Sequence, residues 1–186
     1  IFWITKLGGK GHFKSEDHEF VLQEAIKILK PILPKDVAVT LLGDGEFDGI
    51  GLQELCLSAG WNYVLRTAKN TIFYENEYKF QAKDLELEAY QTILFIPQVE
   101  FMEERFKYVS FVYWHDKAKY ACPETSVEKP ILLVSNLLCS YDIISDYSLR
   151  YSIECLFKDL KSTSFNIHKT RLKKPEEVKN LIIIAA

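Results

Sequence analysis

Residues 37–42 form a largely apolar run that is β-branched at its start, which is typical of a buried parallel strand. A strand pattern at residues 1–5 and a helical pattern at 15–33 precede this run. A short helical stretch at 49–59 and a second strand at 63–66 follow it. This β-α-β-α-β order predicts a parallel sheet flanked by helices, and therefore an α/β fold.

Residues 71–125 have a different character. The segments 71–80, 92–96 and 108–114 are rich in β-branched and aromatic residues and come close to alternating apolar with polar positions. We interpret this region as an antiparallel β-rich insertion. A further strand at residues 131–135 then leads into a helix.

That helix carries four polar residues at a regular spacing. We expect it to start after Asp146 as N-cap. At about 100° per residue from Tyr147, Arg150 falls at roughly 300°, Glu154 at roughly 340° and Lys161 at roughly 320°. The four side chains therefore share one face. A separate apolar stripe, expected to face the core, consists of Leu149, Ile153, Leu156 and Leu160.

The Y-x2-R-x3-E-x6-K pattern resembles the signature of the DDE transposases of bacterial insertion sequences, in the branch named after insertion sequence four. Residues 37–49 end in Gly-Asp44-Gly-Glu-Phe-Asp48-Gly and resemble the second-aspartate segment of that family. Residues 61–67 resemble the strand that follows it. The resemblance spans nearly the whole chain; its helix signature is specific, whereas the strand-aspartate motif alone is weak. It implies a ribonuclease-H-like mixed sheet with an antiparallel insertion before the glutamate helix.

The resemblance also implies a chemistry. These enzymes hydrolyse a phosphodiester at the end of a mobile element and transfer the freed strand to target DNA. Asp44 would be the second catalytic aspartate and Glu154 the catalytic glutamate, both ligands of Mg²⁺, with Mn²⁺ as a substitute. Tyr147, Arg150 and Lys161 would contact DNA. The family also implies a homodimer in the complex with both DNA ends and a bacterial cytoplasmic protein that acts at the nucleoid.

Two positions depart from the family pattern. The first catalytic aspartate should lie on an earlier strand, yet the aspartates upstream of Asp44 are Asp17, in a helical pattern, and Asp36, in a turn. We therefore expect residues 1–186 to be a partial catalytic domain that lacks its N-terminal strands and is inactive alone. Gly45 stands where the family usually carries arginine, which removes a cation beside the expected metals.

Each candidate residue also has a simpler interpretation. Asp44 could cap a turn, and Asp48 could be the N-cap of the next helix. Glu154 could form an exposed helical pair with Arg150 or Lys158, worth about 0.2–0.5 kcal/mol. The spacing of the four helix residues favours the catalytic interpretation for Asp44 and Glu154.

Two aromatic side chains elsewhere are weaker candidates. Trp114 could stack on a flipped base, but a packed β-sheet would use a tryptophan equally well, and we favour the core position. His12 lies in a glycine-rich loop, where it could approach DNA, although loop histidines usually have no such function.

Composition leaves the class of function open. The net charge of −3 is unusual for a DNA-binding protein, because phosphate neutralisation requires Lys and Arg. Positive charge is concentrated in the C-terminal quarter, at Lys158, Lys161, Lys169, Arg171, Lys173 and Lys174. The scattered cysteines indicate neither a zinc site nor a disulfide framework, and no apolar run is long enough to span a membrane. Two alternatives remain: another ribonuclease-H-like nuclease, or an inactive DNA-binding remnant of a transposase.

Overall fold

The computed structural model describes residues 13–87, 91–115 and 130–159, together with residues 177 and 180. Its helices are α1 (Ser15–Leu29), α2 (Ile50–Ala59), α3 (Ser140–Ser148) and α4 (Arg150–Lys158). Its strands are β1 (Thr40–Gly43), β2 (Asn62–Arg66), β3 (Ile72–Glu75), β4 (Tyr78–Gln81), β5 (Ile93–Phe101), β6 (Phe106–Trp114) and β7 (Ile131–Ser135). A single 3₁₀ turn, Ala82–Asp84, follows β4.

All seven strands belong to one sheet with the order β1-β2-β7-β6-β5-β3-β4. Among the described strands, β1 and β2 pair in parallel, connected through α2, and the other pairings are antiparallel. The predicted parallel pairing is correct for β1 and β2, and the strand predicted at residues 1–5 lies outside the described residues. Strand β7 runs antiparallel to β2. The result is a mixed α/β fold that is compatible with the ribonuclease-H-like arrangement implied by the resemblance.

The β-rich region continues the same sheet. Strands β3 to β6 extend it beyond β7, and Phe73 packs against Phe80, Phe101 and Phe111 on one face. The interpretation of residues 71–125 as an insertion stays a prediction. What the structure adds is that this region shares a core with the β1–β2 pair.

The two faces of the sheet bury separate cores. Tyr63 and Leu65 of β2 pack in the larger cluster with residues of α1 and α2, such as Leu22 and Leu52. Val64, between them in sequence, packs on the opposite face in a smaller cluster with residues of β6, β7 and α3. Alternation along a strand sends successive side chains to opposite faces. Strand β2 is therefore covered by helices on both sides.

Helix α1 and strand β1 have other boundaries than the sequence predicted. Helix α1 ends at Leu29, short of residue 33, and β1 begins only at Thr40, so that Val37 lies outside the strand and is exposed. Among the described strands β1 is at the edge of the sheet, and it is half-buried instead of fully buried.

The predicted catalytic helix is two helices. Helix α3 starts at Ser140, with Cys139 as its N-cap, so Asp146 lies inside a helix and the prediction that it is the N-cap is wrong. Leu149 separates α3 from α4 but keeps helical dihedral angles, φ −64° and ψ −22°. Its amide bonds back to Asp146 and Tyr147 in a tightened turn. Tyr147 and Arg150 are therefore on different helices but remain close in space.

The predicted core-facing stripe is also wrong in its described part. Leu149, Ile153 and Leu156 are 64%, 41% and 43% exposed, and Leu160 lies outside the described residues. The buried positions of the helix pair are instead Ile143 and Tyr147 of α3. Helix α3 packs on the sheet, whereas the described side chains of α4 include no buried one.

Candidate active site

Asp44 directly follows β1 and opens the turn that leads to α2. Its carbonyl oxygen accepts from the Phe47 amide at 3.0 Å, and its Oδ1 accepts from the Glu46 amide at 3.3 Å. The turn folds tightly over Gly43, where an added Cβ would lie 2.6 Å from the Phe47 Cβ. The carboxylate is 43% exposed and therefore accessible from solvent.

Arg150 joins Asp44 to Glu154. Its Nη2 lies 3.3 Å from Asp44 Oδ2, and its Nη1 donates to Glu154 Oε1 at 2.5 Å. Burial alone would lower the pKa of Arg150, but the hydrogen bond to Glu154 and the nearby carboxylate charges raise it. The two carboxylates selected from the sequence thus meet at one guanidinium, although 106 residues separate Asp44 from Arg150.

Tyr147 is part of the core and also borders the site. It packs in the smaller cluster with Val64 and Ile143, and it is only 7% exposed. The Arg150 Cζ lies 6.0 Å from the centre of its ring. Burial raises the pKa of the Tyr147 phenol, against smaller opposing effects of the Arg150 and Arg66 charges. The core interpretation of Tyr147 is therefore confirmed, and its contact with DNA stays a prediction.

Arg66 is a neighbouring cation that the sequence interpretation did not select. It is the last residue of β2, where the parallel register pairs Leu65 with Gly43, so it lies beside the Asp44 turn. Its side chain is exposed and makes no hydrogen bond or ion pair with the rest of the described chain. The register of β1 and β2 is the signal that would have identified Arg66. Residues that directly follow a paired position in two parallel strands, here Asp44 and Arg66, lie at the same edge of the sheet.

Asp48 holds the far end of the turn. Its Oδ2 accepts from the Thr67 hydroxyl at 2.7 Å, and its backbone carbonyl oxygen accepts from the side-chain Nε2 of Gln53 at 2.9 Å. Burial raises the pKa of Asp48, and the hydrogen bond from Thr67 only partly offsets that effect. The N-cap of α2 is Gly49, so the expectation that Asp48 is this N-cap is wrong.

The remaining candidates lie away from this site or outside the described residues. Lys161 and His12 are among the residues that the structure does not describe. Trp114 is partly buried beside the smaller core cluster, as the core interpretation expects. Asp17 is in the first turn of α1 and accepts from the Lys14 amide at 2.9 Å, and Asp36 is in the turn before β1.

No further carboxylate, histidine or cysteine converges with Asp44 and Glu154 in the described ranges. Over residues 13–87, 91–115 and 130–159, no three His, Cys, Asp or Glu side chains converge in a way that could hold a metal ion. The same part of the chain contains no helix long and apolar enough to cross a membrane.

Comparison with known proteins gives one clear finding. The family model described as "Transposase DDE domain" matches residues 14–186, which is most of the chain. A search of curated proteins gave no match.

Proposed function

Because the chain belongs to the transposase DDE domain family, whose members supply the catalytic core of DNA transposition, we propose that Asp44 and Glu154 are two of its metal ligands. We assign it to the branch named after insertion sequence four, on the basis of the helix signature. Its reaction would be phosphodiester hydrolysis at the ends of the element, followed by strand transfer.

The convergence of Asp44 and Glu154 on Arg150 carries this proposal. Two separate sequence motifs predict these carboxylates as catalytic, and neither motif contains information about their distance in the fold. Each accepts from one terminal nitrogen of the same guanidinium, at 3.3 Å and 2.5 Å. An ordinary helical ion pair between Arg150 and Glu154 would not require Asp44, from the turn after β1, as a second partner.

The chemistry of the two carboxylates fits a divalent cation. Mg²⁺ prefers carboxylate oxygens and keeps several of its waters, so a few acidic ligands are enough. Asp44 and Glu154 are 43% and 54% exposed, which leaves them accessible to a hydrated ion. DDE transposases are generally dependent on divalent metals, and such ions activate the attacking oxygen and stabilise the leaving oxygen. We propose Mg²⁺, with Mn²⁺ as a substitute.

The cations around the carboxylates would bind the DNA backbone. Arg66 and Arg150 flank Asp44, and arginine suits phosphate because its fork of N–H donors matches two oxygens at once. Lys161 shares a helical face with Glu154 by its spacing and would add a point charge. Tyr147, beside Arg150, would also contact the DNA. Local positive charge of this kind would compensate for the net charge of −3.

We also propose that this chain does not cleave DNA by itself. A DDE site uses three carboxylates, and Asp44 and Glu154 account for two of them. The complete reaction would take place in a homodimer that holds both DNA ends. Purified chain should therefore bind the metal weakly and leave DNA that carries the element ends intact.

Iron-directed cleavage of the polypeptide tests the proposed ligands without requiring activity. Fe²⁺ bound in place of Mg²⁺ reduces peroxide to hydroxyl radicals, which cut the backbone near the ion, and ascorbate reduces the resulting Fe³⁺ back to Fe²⁺. We expect cuts close to Asp44 and Glu154, suppressed by excess Mg²⁺ and lost when Asp44→Asn is combined with Glu154→Gln. Asp48→Asn is the matched control, since this nearby carboxylate is engaged by Thr67. Cuts that persist in the double variant would refute the proposed ligands.

A further inference from the structure

The guanidinium of Arg150 lies between the two proposed metal ligands. It contacts Asp44 Oδ2 and Glu154 Oε1, one oxygen from each proposed ligand. A divalent ion held by both carboxylates would lie close to this guanidinium even if it bound their other oxygens, Asp44 Oδ1 and Glu154 Oε2, and the two cations would repel each other. Arg150 and a bridging metal ion therefore compete.

We propose that Arg150 is an exchangeable counter-ion of this site: a divalent cation displaces its guanidinium from Asp44 and Glu154, and the freed guanidinium then binds a DNA phosphate. This inference rests on the proposed function, because it takes Asp44 and Glu154 as the metal ligands. It adds an order of events, in which metal binding releases Arg150 for DNA.

The charges favour such an exchange. Asp44 and Glu154 together carry two negative charges when ionised, and Arg150 supplies one positive charge. A divalent ion between the carboxylates neutralises both, so the positive charge of Arg150 is no longer needed there. Without that ion, a phosphate brought to Arg150 would have to approach two carboxylates of its own sign.

The surroundings of Arg150 allow it to move. Its side chain is 23% exposed, and both carboxylate partners are more exposed than that. Ion pairs accessible to water are weak, typically below about 1 kcal/mol each, so a metal can replace them. Arg150 is the first residue of α4, directly after the Leu149 break, and the face of Tyr147 lies beside it. The aromatic face can hold the guanidinium in the released position.

Mn²⁺ affinity, measured by the loss of free Mn²⁺ signal in electron paramagnetic resonance, tests the competition. Arg150→Gln should tighten Mn²⁺ binding by about three- to tenfold, since no ion pairs then have to be broken. Arg66→Gln is the matched control: it removes the same charge nearby, but Arg66 forms no ion pair with Asp44 or Glu154. It should change the affinity by less than about twofold because exposed charges are screened.

A Mg²⁺ titration followed by nuclear magnetic resonance observes the guanidinium itself. The Arg150 side-chain N–H signals, assigned by their loss in Arg150→Gln, should shift and broaden as Mg²⁺ releases the group, whereas those of Arg66 should change little. Unchanged Arg150 signals alongside shifted Asp44 and Glu154 carboxylate signals would overturn the exchange.

Comparison of the Asp44→Asn, Glu154→Gln double variant with Arg150→Gln distinguishes failure of the proposed exchange from failure of the proposed metal site. If Asp44→Asn with Glu154→Gln weakens Mn²⁺ binding but Arg150→Gln behaves like Arg66→Gln, the metal site stands and the exchange is refuted. If the double variant binds Mn²⁺ as well as the wild type does, the proposed metal site fails and the exchange fails with it.

Discussion

The Thr67 hydroxyl lies 2.7 Å from Oδ2 of Asp48, and this contact ties the turn after β1 to the end of β2. Thr67 is 5% exposed, and its hydroxyl is also 2.8 Å from that of Thr71. Asp44 lies at one end of the turn and Arg66 directly precedes Thr67. The contact between Thr67 and Asp48 therefore holds Asp44 and Arg66 at the same edge of the sheet.

Replacing Thr67 with valine should destabilise the fold. Thr67→Val keeps the shape of the side chain but leaves the half-buried Asp48 carboxylate without its donor, which costs about 1–3 kcal/mol. Thr67→Ser retains the hydroxyl and serves as the control, with a smaller loss from the missing methyl group. Urea denaturation monitored by circular dichroism measures both. Equal losses in the two variants would show that packing, and not the hydrogen bond, is what matters.

The raised pKa of Asp48 predicts a pH-dependent effect of Asp48→Asn. Because burial raises the folded-state pKa of Asp48 above its ordinary value of 3.8, the folded protein binds this proton more tightly than the unfolded chain does. Wild-type stability is thus lost as the pH rises from 3.8 through the folded pKa, and asparagine removes that loss. The variant should gain stability relative to wild type between pH 3 and pH 7. Parallel stability profiles over that range would contradict the prediction.

The two glycines that flank Asp44 should differ in how much an alanine substitution destabilises the fold. A Cβ at Gly43 would lie 2.6 Å from the Phe47 Cβ and 2.8 Å from Leu65 Cδ2, so Gly43→Ala should cost about 1–3 kcal/mol. At Gly45 the nearest atom would be the Arg66 carbonyl oxygen at 4.0 Å, which leaves room for a side chain. Gly45→Ala should stay within about 0.5 kcal/mol of wild type. Thermal unfolding of the pair tests this, and similar melting temperatures would contradict it.

Arg66 should contribute one phosphate contact to DNA binding. Arg66→Gln should reduce the slope of log affinity against log salt by about 0.9, the value for one phosphate on duplex DNA. Lys35→Gln removes an equal charge from the turn before β1, away from the Asp44 end of this strand, and should leave the slope unchanged. Fluorescence anisotropy with a generic duplex over a range of salt concentrations measures both. Equal slopes for the two variants would remove Arg66 from the interface.

The sequence predicted those parts of the fold that local patterns determine. The apolar run before Asp44 and the helical stretch after it identified β1 and α2, and the spacing from Arg150 to Glu154 placed both on one helical face. The position of β7 between β2 and β6 could not be read in this way. It depends on pairing between residues far apart in the chain, such as Val64 of β2 with Ser135 of β7, which no local pattern contains.

The errors in the predicted start and core-facing side of helices α3 and α4 have a similar origin. Residues 140–146 include two serines and two aspartates, residue types that favour N-caps, so the helix was predicted to begin after Asp146, although its buried face already starts at Ile143. The apolar stripe on α4 was taken as core-facing because periodicity indicates a face but not what covers it. Arg66 was overlooked because its position next to Asp44 follows from strand register, which no single motif contains.

Tyr147 offers a test that separates packing from surface chemistry. Tyr147→Ala removes a ring that is 7% exposed from the cluster of Val64, Val112, Leu133 and Ile143, and should cost about 3–5 kcal/mol. Tyr147→Phe keeps the ring and should remain within about 0.5 kcal/mol of wild type. Chemical denaturation gives both values. A loss of DNA affinity in the phenylalanine variant at unchanged stability would then belong to the hydroxyl group, whereas a large loss of stability would show that the hydroxyl supports the fold.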